Sequence, residues 1–182
     1  MTAPLPPVRV GTRADEVDLL ALCHELHADN GLFEMDDDAV KETLDLAFDR
    51  KGAVIGVIDG DAEIAGAILI CLTRMWYVSS DSLGHLEELF SFVRPKYRKS
   101  KNAEALIEFA KQCTSTGLPV VIGIVTNKRL EAKVRLYRQR LGLPIGAFFA
   151  YGIEQWANES IIHTEGLWRV HRNKRTNGVE TS

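Results

Sequence analysis

The chain has 182 residues, of which 46% are apolar and 26% charged, enough for one compact domain with a real core. A net charge of −3 and a pI near 6.0 argue against nucleic-acid binding by the surface as a whole, leaving room only for a local basic patch. Three cysteines, Cys23, Cys71 and Cys113, are odd in number and sit inside apolar runs, so they read as reduced thiols of a cytoplasmic protein, with no base nearby to make one a nucleophile.

Residues 1–7, rich in proline, read as a flexible start that is neither a signal peptide nor a membrane span. Val8 to Val10 predicts a short edge strand. Thr12 and Asp15 have the spacing of a capping box, and the helix behind them places Leu19, Leu22, Cys23 and Leu26 on one face until Gly31. Asp36, Asp37 and Asp38 open a second helix, where carboxylates suit the positive end of the dipole; Val40, Leu44, Ala47 and Phe48 form its buried stripe. Ala53 to Ile58 and Glu63 to Leu72 are apolar runs joined by Asp59-Gly60-Asp61, a hairpin signal. Leu86 to Val93 is the next strand, Asn102 to Cys113 a helix, and Val120 to Val125 a strand. Leu130 to Leu141 is a helix with Leu130, Val134, Tyr137 and Leu141 on one face, closed by Gly142, and Ile145 to Ile153 reads as a last strand. From Trp168 onward the chain is polar, carries Arg169, Arg172, Lys174 and Arg175, and has the composition of a partly disordered tail. The order β-α-α-β-β-β-α-β-α-β predicts an α/β domain over residues 8–153, a mixed, mostly antiparallel sheet with helices on both faces, followed by an extension over 154–182.

The most informative stretch is Val93-Arg-Pro-Lys-Tyr-Arg-Lys-Ser-Lys-Asn-Ala103, where an apolar strand runs through a basic loop into a helix. The first N–H groups of that helix have no intrahelical partners and carry the positive end of its dipole, and Arg98, Lys99 and Lys101 add charge there. A phosphate-bearing ligand suits such a place; an ordinary solvated basic turn is the plainer alternative.

This block, with Asn127 to Tyr137 and Leu141-Gly142-Leu143 about thirty residues on, resembles the GNAT superfamily of acyl-CoA-dependent N-acyltransferases. The first part is similar to that family's pyrophosphate loop, Val-x-Pro-x-x-Arg-x-x-Gly-x-Gly/Ala, and the second to its Asn…Tyr…Leu-Gly-Phe block. The resemblance spans Val8 to about Tyr151. It implies acetyl-CoA as co-substrate, with no metal, held by Phe92, Val93, Arg98, Lys99, Ser100, Lys101, Asn102, Ala103 and Asn127. Backbone N–H groups at Phe92 and Val93 would polarise the thioester carbonyl, and Tyr137 would protonate the departing thiolate. Some members carry a strand glutamate about six residues before the valine as general base; Glu87 has that spacing. Because strand alternation sends Glu87 and Glu88 to opposite faces, Glu88 takes the place if a bulge shifts the register.

Two departures stand out. Lys101 replaces the glycine that lets backbone approach the pyrophosphate, and Leu143 replaces phenylalanine. The Arg-x-Ser-x-x-Ala form and His27-Ala-Asp-Asn-Gly-Leu-Phe33 also resemble phage- and prophage-encoded members. His24 and His27 are three residues apart with no third ligand in sight, the pattern of a half-exposed helix face rather than a metal site. The implied activity is acetyl transfer to a primary amine by direct attack in a ternary complex, the amine belonging to a small molecule or a protein. The turn between the first two helices would wall the acceptor, Phe33 and Met35 offering apolar contact and Glu34 an anion. The alternative is a catalytically silent GNAT-like module that binds CoA or a protein. No membrane is implied, nucleic acid only through the basic tail, and a homodimer is compatible with either reading.

Overall fold

Local signals set the first elements. Asp15 Oδ2 accepts from Thr12 N at 2.8 Å, and the expected capping box opens a short 3-10 turn, Arg13–Asp15, that leads into helix α1, Glu16–Asn30. Asp36 Oδ1 accepts from the N–H groups of Asp38 (2.9 Å) and Ala39 (3.2 Å) and so caps α2, Asp37–Phe48. A cap of this kind contributes ~1 kcal/mol. The chain was characterised as a computed structural model, which describes residues 4–31, 33–79, 81, 84–124, 126 and 129–146. Its remaining elements are strands β1 (Arg9–Val10), β2 (Ala53–Asp59), β3 (Ile64–Thr73), β4 (His85–Val93) and β5 (Val120–Val121), and helices α3 (Asn102–Cys113) and α4 (Leu130–Leu141).

Among the described residues the strands form one sheet in the order β1-β2-β3-β4-β5, antiparallel except for the parallel β4–β5 pair. One face is covered by Leu19 and Leu22 of α1 and Leu44 and Ala47 of α2, packed on Ile55, Val57, Ala67, Leu69 and Phe92. The other is covered by Ala105, Leu106 and Ala110 of α3, packed on Ile58, Ala65, Ile68, Ile70 and Val93. The fold is therefore the expected α/β sheet with helices on both faces. Arg94, just past β4 and only 4% exposed, ties these layers together: its guanidinium meets Asp18 and Glu25 of α1 (2.8 Å each) and Glu63 (2.9 Å). A buried cation with three carboxylates around it fixes where α1 lies over the sheet.

Three expectations need correction. β5 is two residues long, not Val120 to Val125, because it pairs with β4 only at Leu86–Val120 and Glu87–Val121; residues 122–124 have no strand partner among the described residues. On α4, Leu130 (50% exposed) and Leu141 (41%) face outward, so the inward side is the neighbouring one, bearing Ala132, Lys133, Leu136 and Tyr137. Ile145, expected to begin a strand, lies in a bend and is exposed, while residues 147–153 and the extension 154–182 lie outside the described residues.

Candidate active site

The site is shaped by one extra residue in β4. Val93, Phe92, Ser91 and Phe90 pair in turn with Gly66, Ala67, Ile68 and Leu69, but the next pair is Glu88 with Ile70. Leu89 is thus bulged out and half exposed. In an unbroken strand Glu87 would share the side of Ser91 and Val93. The bulge instead places Glu88 there, and Glu87 is turned to the α1–α2 side. Leu86, which packs with Val93 in the α3 cluster, bears this out.

On the α4 side Glu88 meets Tyr137, whose hydroxyl is hydrogen-bonded to both Glu88 and Ser91. The other carboxylate oxygen, Oε2, is buried with no hydrogen-bond partner. Burial pushes Glu88 up to about 8, against the opposing pull of the Lys133 ammonium and the Tyr137 hydroxyl. Tyr137 is raised above the ordinary phenol range, first by burial and then by the charge of Glu88. Sequence reasoning put Glu87 first; at Glu87 the side chain faces the second cavity described below rather than Tyr137.

Beyond Glu87, β4 has no strand partner on its β5 side among the described residues, and a gap opens there. The amide direction along the gap follows from one bond. Arg94 N donates to Ala65 O at 2.9 Å, so Ala65–Arg94 is a hydrogen-bonded pair and Ala67–Phe92 is the next. Phe92 therefore spends its N–H on β3, a correction to its expected role as a carbonyl donor. Val93, the other expected donor, is turned to the gap, and Ser91 is turned the same way. Arg98 Nε donating to Val93 O at 2.8 Å from this side agrees with that direction.

The basic loop is placed as follows. Arg98 is drawn inward: Nη2 meets Asp29 Oδ2 of α1 at 2.6 Å, and the guanidinium lies 5.1 Å over the Phe92 ring. Lys99 is exposed. Ser100 Oγ donates to Tyr97 O (2.6 Å) and accepts from Asn102 N (3.2 Å), closing the turn before α3. Lys101 is the N-cap residue with φ −85°, ψ 14°, a conformation open to any residue, so the loop here does not require the glycine it lacks. Asn102 is buried, Ala103 lines the first cavity, and the Lys101 side chain makes no capping bond to the helix. Asn127 lies outside the described residues.

Two cavities meet at this point. The first, about 230 Å³, lies between the gap in β4 and the inward face of α4, and is lined by Ser91, Val93, Arg98, Ala103, Lys133 and Tyr137 among others. The second, about 790 Å³, is walled by α1, α2 and the segment between them, with Phe33, Glu34 and Met35 in its lining and Glu87 and Glu88 on the strand side. Asn30 and Ser91 line both. Sequence reasoning missed Ser91, Asp29 and Lys133. The first two carry no signal beyond their spatial neighbours, while Lys133, one helical turn before Tyr137, was open to detection. His27 Nε2 lies 2.6 Å from Phe33 O and His24 Nε2 3.2 Å from Asp37, so both histidines hold the segment that walls the second cavity. Among the described residues no three His, Cys, Asp or Glu side chains gather as a metal site.

Neither models of protein families nor curated protein sequences match the chain. Solved structures do. AAC(6')-Iy in complex with a bisubstrate analogue containing CoA is similar at TM-score 0.64 and 14% identity, over 80% of this chain and 95% of that one. A predicted acetyltransferase from Clostridium acetobutylicum with acetyl-CoA gives 0.62 at 10% identity, over 82% and 97%. A GNAT family acetyltransferase from Staphylococcus aureus gives 0.53 at 10% identity, over 80% and 96%. At such identities the likeness is one of architecture, and the architecture of this chain is the GNAT acyltransferase fold.

Proposed function

We propose that the chain is an N-acetyltransferase that moves the acetyl group of acetyl-CoA to a primary amine by direct attack in a ternary complex. The observation that carries this reading is the Glu88–Tyr137 contact where the two cavities adjoin: a carboxylate raised toward neutrality on the acceptor side, touching a phenol on the cofactor side. The thioester would lie along the gap in β4, its carbonyl against the N–H groups of Ser91 and Val93. One such donor, aimed where charge develops, is worth ~3 kcal/mol. Glu88 would take the proton of the attacking amine, directly or through water, and Tyr137 would give its proton to the thiolate. Phe33, Glu34, Met35 and Glu87 would face the acceptor. The solved relatives' complexes with CoA and acetyl-CoA support the choice of donor.

The test is thiol release from acetyl-CoA with a mixed panel of amines, alongside melting with acetyl-CoA alone. Ligand at a hundredfold above Kd stabilises by ~2.7 kcal/mol. Stabilisation without thiol release from any amine would favour the silent CoA-binding module. Lys99, Ser100, Lys101 and the N-terminus of α3 would hold the pyrophosphate, with Arg98 behind them. Arg98→Ala is expected to weaken acetyl-CoA by about 10–100-fold, measured by titration calorimetry, because a charge-assisted bond to the phosphates is lost. An unchanged Kd would show that the inward pairing of Arg98 persists with cofactor bound.

A further inference from the structure

Lys133 is a lysine inside the site rather than around it. It stands one helical turn before Tyr137 on α4 and lines the same cavity as Ser91, Val93 and Tyr137. Four charged groups act on it from the surrounding elements: Glu88 of β4, Asp29 of α1, Arg98 of the basic loop and Arg129 at the start of α4 itself. Everything the proposed reaction requires of an external amine is therefore arranged around an amine that the chain supplies.

We propose that Lys133 is a self-acetylation site, taking the acetyl group from acetyl-CoA when no external acceptor is bound. This rests on the reading of the site as an N-acetyltransferase. The Lys133 Nζ lone pair attacks the thioester carbon, the C–S bond breaks, and an amide forms. The amine proton passes to the Glu88 carboxylate, and the thiolate leaves as CoA thiol with the proton of Tyr137 or of water. Burial first, then Arg98 and Arg129, favour the neutral amine, outweighing Glu88 and Asp29, which favour the ammonium. A freely solvated alkylammonium is by contrast almost wholly protonated near pH ~7.5. Acetyl-Lys133 would carry no charge opposite Glu88 and would occupy cofactor space, so the modification would act as a brake on turnover.

The full chain is incubated with acetyl-CoA carrying a deuterated acetyl group, without amine, and its peptides are followed by mass spectrometry. Lys133 is expected to gain the heavy acetyl at least about tenfold faster than Lys51 and Lys99, at a rate per molecule that does not change with protein concentration, and Glu88→Gln is expected to slow it at least about tenfold. Labelling of Lys133 no faster than the exposed lysines overturns the proposal, as does an equal rate in a folded Glu88→Gln variant. Thiol release with amines while Lys133 stays unlabelled overturns this inference and leaves the transferase reading standing. No release and no label overturns both. Label at Lys133 without any active amine upholds the inference and removes the external acceptor.

Discussion

Glu88→Gln is expected to lower acetyl transfer by about 10²–10⁴-fold, the range for loss of a general base, and to remove its rising pH dependence. The wild-type rate should climb through about 8, because only the carboxylate form of Glu88 can accept the amine proton. The amide keeps the shape and the contact with Tyr137 but accepts no proton. Stability should move the opposite way. The folded value of Glu88 lies above the ordinary carboxylate value, so the native state holds a proton that the unfolded chain gives up. Stability therefore falls as pH rises from the carboxylate range through about 8. Glu88→Gln carries no such cost and should melt higher than wild type above that window. Profiles of kcat/KM and of Tm against pH check both halves. Glu87→Gln, on the other side of the strand, should raise the acceptor's KM and leave the shape of the profile alone. If Gln at 87 rather than at 88 abolishes the pH dependence, the strand places its base on the α1–α2 side.

Tyr137→Phe is expected to lower turnover by about 10²–10⁴-fold while the Kd for acetyl-CoA stays nearly constant. The ring remains against its neighbours on α4, and only the hydroxyl is lost. That hydroxyl also holds Glu88 down, so its removal should push the rising limb of the pH profile further up. A falling limb from ionised Tyr137 should not appear below the ordinary phenol range, since Tyr137 is held above it. Single-turnover rates and calorimetric binding separate the two effects. Wild-type turnover in the phenylalanine variant would make Tyr137 a packing residue and assign the thiolate's proton to solvent.

The parts of this chain that follow from local chemistry are legible in its sequence. Capping by Asp36, the turn at Gly60 and the C-terminal stop at Gly142, where φ is +99°, depend on residues within a few positions of one another. The bounds of α3 and α4 agree with the expected ranges for the same reason. The bulge at Leu89 is different. No glycine or proline marks it, and it is fixed by pairing with β3, so the glutamate that reaches Tyr137 is one residue later than spacing proposes. The inward face of α4 misled for a related reason. Its most apolar stripe faces outward, and the side that meets β4 carries Lys133 and Tyr137, chosen for what they touch rather than for hydropathy. The pairing of Arg98 with Asp29 joins positions 69 apart in the chain, beyond the reach of any pattern.

The gap beside β4 also has a meaning for how the molecule keeps to itself. A strand whose amides at Ser91 and Val93 point into a gap with no strand partner among the described residues is, in any other protein, an invitation to a neighbouring chain. Here the opening is a slot rather than a rim: α4 stands over it with Tyr137 bound to Ser91, and Arg98 already holds the carbonyl of Val93. A slender ligand can slide along such a slot where a second polypeptide strand cannot lie down. Among the described residues the sheet thus turns two donors toward a slot rather than along an exposed rim.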